Sequence, residues 1–172
     1  APHATLTIEP GVTMRFHAHS SLQVAHFTGE FPASGSLVAV GTSDRPITFT
    51  SAADAPMPGD WRGLWFGGVV STDTRIEHAR IEYTGDDCGC ILESCSAVDS
   101  YAGAVIVTRE PPSAFVTHSV IAHAAENGFV LGYRGAGFDF AGENTFDDVA
   151  GCPATLPSAD TCPDPKPSCN GG

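Results

Sequence analysis

Short apolar runs separated by turn-forming residues make up most of this chain. Within residues 35–68, apolar runs at 37–40, 47–50 and 64–66 alternate with glycine, proline, serine and aspartate. Runs of this length between such residues are typical of β-strands joined by turns, and they leave no room for a helix of ordinary length. Because side chains alternate across a strand, the apolar and polar members of run 47–50 should face opposite sides. The pattern predicts one coil of a solenoid, apolar inside and polar outside.

The same kind of unit recurs along the chain. Two stretches align with apolar on apolar and histidine on histidine: Ile76 on Val116, His78 on His118, and Ile81 on Ile121. Residues 103–106 align in a similar way with residues 128–131. An insert at residues 86–101 separates the first two repeats, and without it the two spacings are nearly equal. Repetition at a fixed period is the sequence signature of stacked coils.

The chain divides by composition into a body and a tail. We predict that residues 1–150 form the all-β solenoid body, interrupted by the cysteine-rich insert at 86–101. Residues 151–172 are rich in cysteine, proline, serine and aspartate and have almost no apolar periodicity. We therefore expect a disulfide-pinned tail that packs on the body.

Charge and hydropathy exclude several classes of partner. The 172 residues carry a formal net charge of −12, and only 16% are charged, against about 25% in typical domains. A surface this acidic repels nucleic acid and anionic membranes, so neither is an expected partner. No apolar run approaches the roughly 18 residues of a membrane span, so no membrane insertion is expected.

The cysteines indicate an oxidising compartment. The six form two groups of three without a C-x-x-C pair: Cys88, Cys90, Cys95 and Cys152, Cys162, Cys169. An even number of cysteines in an acidic chain with few lysines predicts disulfides and a secreted or cell-surface location. If all six pair, each group of three leaves an odd cysteine. At least one disulfide then joins the insert to the tail.

Four stretches of the body resemble bacterial secreted proteins with right-handed parallel β-helix repeats, the pectin-lyase-like superfold. They are Leu-Thr-Ile-Glu-Pro-Gly-Val-Thr (6–13), Gly-Ser-Leu-Val-Ala-Val-Gly-Thr (35–42) with Pro-Ile-Thr-Phe-Thr-Ser (46–51), Gly-Asp-Trp-Arg-Gly-Leu-Trp-Phe (59–66), and Ile-Glu-His-Ala-Arg-Ile-Glu-Tyr (76–83). The resemblance covers about residues 4–148 and implies a right-handed parallel β-helix. It implies no particular activity, because one fold supports many functions.

The start of the chain raises the question of what covers the first coil. The sequence enters a strand pattern directly, without a helix that would cap the solenoid. Uncovered strand edges are templates for pairing with another chain. We therefore expect self-association or attachment to a larger surface assembly, unless the tail covers this end.

Catalytic elements are incomplete in this sequence. Gly85-Asp86-Asp87-Cys88 resembles an element of polygalacturonases, in which paired carboxylates cleave a glycosidic bond. The Asn-Thr-Asp, Gly-His-Gly and Arg-Ile-Lys elements of that family are absent, which favours an acidic loop beside a disulfide. Pectate-lyase chemistry requires calcium and an Arg or Lys base, but the single lysine lies in the tail and the arginines near the repeats lack an obvious partner set. We assign no catalytic residue and expect a protein that is not an enzyme.

Candidate binding residues are few. Trp65 should point outward if its neighbours point inward, and with Arg62 and Tyr101 it could stack on a sugar of a polysaccharide, unless a loop covers it. Acidic side chains of the insert could hold a structural calcium ion through oxygen ligands: Asp86, Asp87, Glu93 and Asp99. No other cofactor is expected.

Histidines near the start of the chain suggest a third, metal-capturing function. In a strand, His17 and His19 would project from one face, and with His3 or His26 they could hold a transition metal. The simpler expectation is that these histidines pack or hydrogen-bond, and no metal site is assigned.

The sequence thus favours a non-catalytic extracellular β-solenoid module with a structural, adhesive or assembly-forming role. The alternative is a glycan-binding or glycan-cleaving protein of the pectin-lyase-like class.

Overall fold

Sixteen β-strands account for all the regular secondary structure in the described part of the chain. A computed structural model describes residues 4–25, 27–28, 31–32, 34–86, 102–158 and 168–169. No helix in these ranges is long and apolar enough to span a bilayer. The strands are β1 (Ala4–Ile8), β2 (Thr13–Phe16), β3 (Ser21–Val24), β4 (Phe27–Thr28), β5 (Phe31–Pro32), β6 (Ser34–Val40), β7 (Ile47–Ser51), β8 (Gly63–Phe66), β9 (Val69–Val70), β10 (Arg75–Glu77), β11 (Ala79–Glu82), β12 (Gly103–Val107), β13 (Val116–Thr117), β14 (Val120–Ala124), β15 (Asn127–Leu131) and β16 (Thr145–Val149).

The strands form three parallel sheets that run along the molecule. The first sheet has the order β1-β6-β10-β13 with β9 also paired to β6, the second β2-β7-β11-β14-β16, and the third β3-β8-β12-β15. Strands β4 and β5 form a separate antiparallel pair. Coil 1 (β1–β3), coil 2 (β6–β8), coil 3 (β10–β12) and coil 4 (β13–β15) each give one strand to every sheet. The molecule is therefore a right-handed parallel β-helix, as predicted, since crossover connections between parallel strands take that hand.

The register lines up equivalent side chains inside the solenoid. Ile81 lies beside Ile121 on one side and Phe49 on the other, and all three are fully buried. Ile76 lies beside Val116, as predicted. Apolar residues from successive coils thus form continuous interior columns, and this burial is the main source of stability.

One predicted alignment is wrong by a single residue. The sequence comparison set residues 103–106 on 128–131, but in the structure Gly103 pairs with Asn127 and Val105 with Phe129. The alignment matched Gly103 to Gly128, and this match was misleading. A slip of one residue moves a strand's side chains to the opposite face. Only the observed register brings Val105 and Phe129 together in the buried interior.

Asparagine side chains hold the turns of adjacent coils together. Nδ2 of Asn144 donates to the carbonyls of Val116 and Phe140, while its Oδ1 accepts from the amide of Ser119. Asparagine favours turns because its side-chain amide can bond neighbouring backbone in this way. Asn127 acts similarly between Ala102 and Cys152. Most of these backbone groups lie in turns, and Val116 lies in β13, the last strand of its sheet, so the amide side chains satisfy backbone groups that no neighbouring strand pairs.

The tail continues the solenoid and is closed by a disulfide. Ala154 forms a parallel bridge with Phe129, and the amide of Thr155 donates to the Phe129 carbonyl. A disulfide joins Cys152 to Cys169, which confirms the disulfide-pinned tail. Cys88, Cys90, Cys95 and Cys162 lie outside the described residues. The disulfide between insert and tail therefore stays a prediction, as does the extent of the insert.

Removing a side chain from an interior column should destabilise the protein. Ile121→Ala leaves a cavity at a fully buried site between two strands, so we expect a loss of about 2–5 kcal/mol in the free energy of unfolding. Urea denaturation measures the loss. Thr145→Ala, on the exposed side of neighbouring β16, is the matched control and should change stability by less than about 0.5 kcal/mol. Equal losses in the two variants would contradict the shared interior column.

Candidate functional site

The first coil pairs with the rest of the described chain along one side only. In the described part of the chain, β1 pairs only with β6, β2 only with β7, and β3 only with β8. The free edges of the three strands face the same end of the solenoid, because all three pairings of coil 1 with coil 2 are parallel. We call the surface formed by residues 4–25 the open coil. Its unpaired amides and carbonyls are available to an added strand.

The apolar interior extends to this end and is partly exposed there. Leu6 is 44% exposed, whereas Leu37, its partner on coil 2, is fully buried. Met14 and Leu22, which pair with buried residues of coil 2, are likewise only half-buried. A depression of about 320 Å³ lies among Leu6, Leu22, Val24 and their neighbours. Exposed apolar surface bounded by free strand edges is characteristic of a contact surface.

The open coil is electrically neutral in a strongly acidic protein. Residues 4–25 contain one carboxylate, Glu9, and one guanidinium group, Arg15, while the whole chain carries −12. Arg45 reaches this end from coil 2 and donates to the carbonyl of Pro10 at 2.6 Å. Two such surfaces can therefore approach each other without the like-charge repulsion that the rest of the molecule would impose.

A second candidate site lies at the corner between the second and third sheets. His19, Arg62 and Asp86 come from three successive coils and meet there, and we call them the acid corner. Nδ1 of His19 lies 2.8 Å from Oδ2 of Asp86, and Nε of Arg62 lies 3.7 Å from the same oxygen. The Asp86 side chain is only 8% exposed, whereas that of His19 is 73% exposed. A nearly buried carboxylate is thus held beneath two accessible basic side chains.

Backbone hydrogen bonds fix the geometry of the acid corner. The amide of Arg62 donates to the carbonyl of Ser20, and the amide of Asp86 donates to the carbonyl of Trp61. His19 has a left-handed backbone with φ of 62°, which turns its side chain toward the corner. The corner is therefore set by the stacking of coils and not by any one loop.

The acid corner offers hydrogen-bond acceptors and donors but only part of a hydrolytic site. Glycoside hydrolysis uses two carboxyl groups on either side of the bond. Asp86 supplies one, and Asp87 lies outside the described residues. Within the described ranges, no three His, Cys, Asp or Glu side chains lie close enough to hold a metal ion. The structural calcium ion stays a prediction, because Asp87, Glu93 and Asp99 also lie outside those ranges.

Two of the three predicted sugar-binding residues, Trp65 and Arg62, lie within the described ranges. Trp65 is on the outer face of its sheet, as expected, but it is only 5% exposed and clusters with Ile106 and Val130. Arg62 approaches Asp86. Tyr101 lies outside the described residues. The sugar site stays a prediction, and the burial of Trp65 agrees with the alternative that this indole is covered.

The expected pairing of His17 with His19 on one strand face is wrong. Strand β2 ends at Phe16, and His19 lies in the following turn. His19 instead meets a carboxylate 67 residues away. Sequence reasoning missed this contact, although one signal was present: charged residues recur in the turns that precede the third-sheet strands. His3 and His26 lie outside the described residues.

Comparison with known proteins identifies a family. Residues 1–90, more than half of the chain, match the model of a pectate-lyase like beta helix domain. The matched range contains the open coil and all three residues of the acid corner. No curated protein and no solved structure matches the chain.

The two histidine–carboxylate pairs among the described residues should contribute differently to the free energy of unfolding. Asp86→Asn should lower the free energy of unfolding by about 1–2 kcal/mol, because it removes a nearly buried carboxylate that two basic side chains contact, both of them screened by solvent. Asp148→Asn is the matched control. Its carboxylate lies 2.9 Å from His123 but is 69% exposed, so the loss should stay below about 1 kcal/mol. Urea denaturation at neutral pH compares them, and a larger loss for Asp148→Asn would contradict this assignment.

Proposed function

The chain belongs to the family of pectate-lyase like beta helix domains, and on that premise we propose that it is a non-catalytic extracellular structural module. We further propose that it assembles with a second copy of itself through the open coil. The observation that carries this proposal is the set of three unpaired strand edges around an exposed apolar interior.

The chemistry of the open coil supports a second copy as the partner. In a two-fold contact the same surface is used by both molecules, so it must complement itself. Strand edges satisfy this condition, since each offers both donors and acceptors. The apolar side chains of the two interiors would bury each other, and the neutral charge of residues 4–25 removes the main electrostatic penalty.

Two further features agree with a structural role outside the cytoplasm. The Cys152–Cys169 disulfide is of the kind that persists in oxidising compartments. The stacked coils bury aromatic and aliphatic side chains from nearly every strand, which suits a rigid element of an assembly or an adhesive surface.

A charge placed on the open coil should prevent association. Leu6→Lys introduces an ammonium group at a site that is 44% exposed, so the monomer should tolerate it while the dimer contact should not. Analytical ultracentrifugation over a range of concentrations should show a monomer–dimer equilibrium for the native chain and a monomer for the variant.

Leu156→Lys is the matched control for this experiment. Leu156 is 43% exposed and belongs to the tail, away from the open coil. This variant should dimerise like the native chain. A native chain that is monomeric at every concentration, or equal loss of association in both variants, would overturn the proposal.

The acid corner favours one alternative function, which is glycan binding or cleavage. Asp86, His19 and Arg62 combine a carboxylate with two donors, a set that can bind sugar hydroxyl groups. If the alternative holds, the native chain should bind acidic or neutral polysaccharides on a glycan array or release reducing sugar, and Asp86→Asn should abolish the signal. Leu6→Lys should leave that signal unchanged, which separates the two functions.

A further inference from the structure

We propose that His78 and His118 bind a divalent transition-metal ion that links coil 3 to coil 4. Each histidine occupies the corner between a first-sheet strand and a second-sheet strand: β10 and β11 for His78, and β13 and β14 for His118. The expected alignment of the two residues on successive coils is confirmed, because their ring centroids lie 5.4 Å apart.

The backbone bends in the same way at both histidines. His78 and His118 have φ values of 49° and 51°, so the chain makes the same left-handed bend on both coils. The strands on either side of the bend are in register, with Ile76 beside Val116 and Arg80 beside Val120. Two equal bends in register, at the strand spacing of about 4.8 Å, place the two rings side by side.

These two rings differ from the other paired histidines in having no hydrogen bond to protein. Nδ1 of His19 lies 2.8 Å from Oδ2 of Asp86, and Nδ1 of His123 lies 2.9 Å from Oδ2 of Asp148. Each imidazole thus donates a hydrogen bond to a carboxylate. In the described part of the chain, the imidazoles of His78 and His118 form a ring contact with each other and no hydrogen bond or ion pair. Their nitrogens are therefore available as ligands, and the exposed position of His118 gives an ion access from solvent.

The geometry suits one ion shared by two imidazoles. Ligand nitrogens about 2.0–2.1 Å from a metal lie roughly 3–4 Å from each other, depending on the angle at the ion. Ring nitrogens lie at the edge of the imidazole, so rings with centroids 5.4 Å apart and planes tilted by 31° can each turn one nitrogen toward a common ion. Imidazole prefers copper, zinc and nickel, and copper(II) binds most strongly among them.

The two imidazoles would leave other coordination positions of the ion unfilled by protein. Small ligands in solution would therefore compete with the protein for the ion. No third His, Cys, Asp or Glu side chain in the described ranges completes a closed set. Water or a small chelating ligand would fill the remaining positions on the metal. Because the ion binds the two coils together only in the folded chain, it should also raise the unfolding temperature, and the rise should grow with the logarithm of metal concentration above the Kd.

Pulsed electron paramagnetic resonance with copper(II) on the full chain tests this site, because the spectrum counts the imidazoles bound to one ion. We expect two imidazoles per copper in the native protein. His78→Asn and His118→Asn should each remove that signal and weaken copper binding at least about tenfold. Asparagine is chosen because it tolerates the left-handed backbone, so the coils should keep their fold.

His123→Asn is the matched control. His123 is another histidine with a left-handed φ, 49°, but it donates to Asp148 and lies near the end of β14. This variant should keep the two-imidazole signal of the native chain. The proposal is overturned if the native protein shows no such signal, if the signal persists in His78→Asn or His118→Asn, or if His123→Asn loses it equally.

Discussion

Parallel hydrogen bonding between successive coils is the constraint on which the rest of this structure depends. Each sheet joins strands from neighbouring coils in sequence order, so a residue's neighbours are set by its position within the coil. Parallel ladders are evenly spaced and the strands lie about 4.8 Å apart. Whatever occupies a given position on one coil must therefore pack against its counterpart on the next.

Inside the solenoid this constraint produces apolar columns, and at corners and strand ends it stacks ring side chains in pairs. Ile81 and Ile121 follow from the first effect, while the ring pairs His78 with His118 and Tyr83 with His123 follow from the second. A polar or aromatic side chain at such a position lies next to the residue at the same position on the following coil. The fold can thus assemble a two-residue site without a specialised loop.

The same constraint explains why the two ends of the molecule differ. At the far end, residues 154–155 and the Cys152–Cys169 disulfide add backbone contacts beyond coil 4. At the near end, coil 1 has the strands of a solenoid but no described neighbour on its outer side. Its neutral charge and partly exposed Leu6 and Met14 make this end chemically distinct from the acidic remainder of the chain.

The sequence by itself determined the features that repeat locally. Strand periodicity, turn residues and the alignment of His78 with His118 could all be inferred, because each depends on the spacing of neighbouring residues. The outward direction of Trp65 followed from strand alternation in the same way. The period of the apolar runs predicted a solenoid of stacked coils, and the resemblance to β-helix repeat proteins implied that the coils form a parallel β-helix.

Only the tertiary structure decided which distant residues meet and what is covered. The pairing of Gly103 with Asn127, the meeting of His19 with Asp86, and the burial of Trp65 each depend on how much chain the intervening turns take up. A turn can be longer or shorter by one residue without changing the strand pattern on either side. That single residue is enough to reverse the face of a strand or to move a charge to another corner.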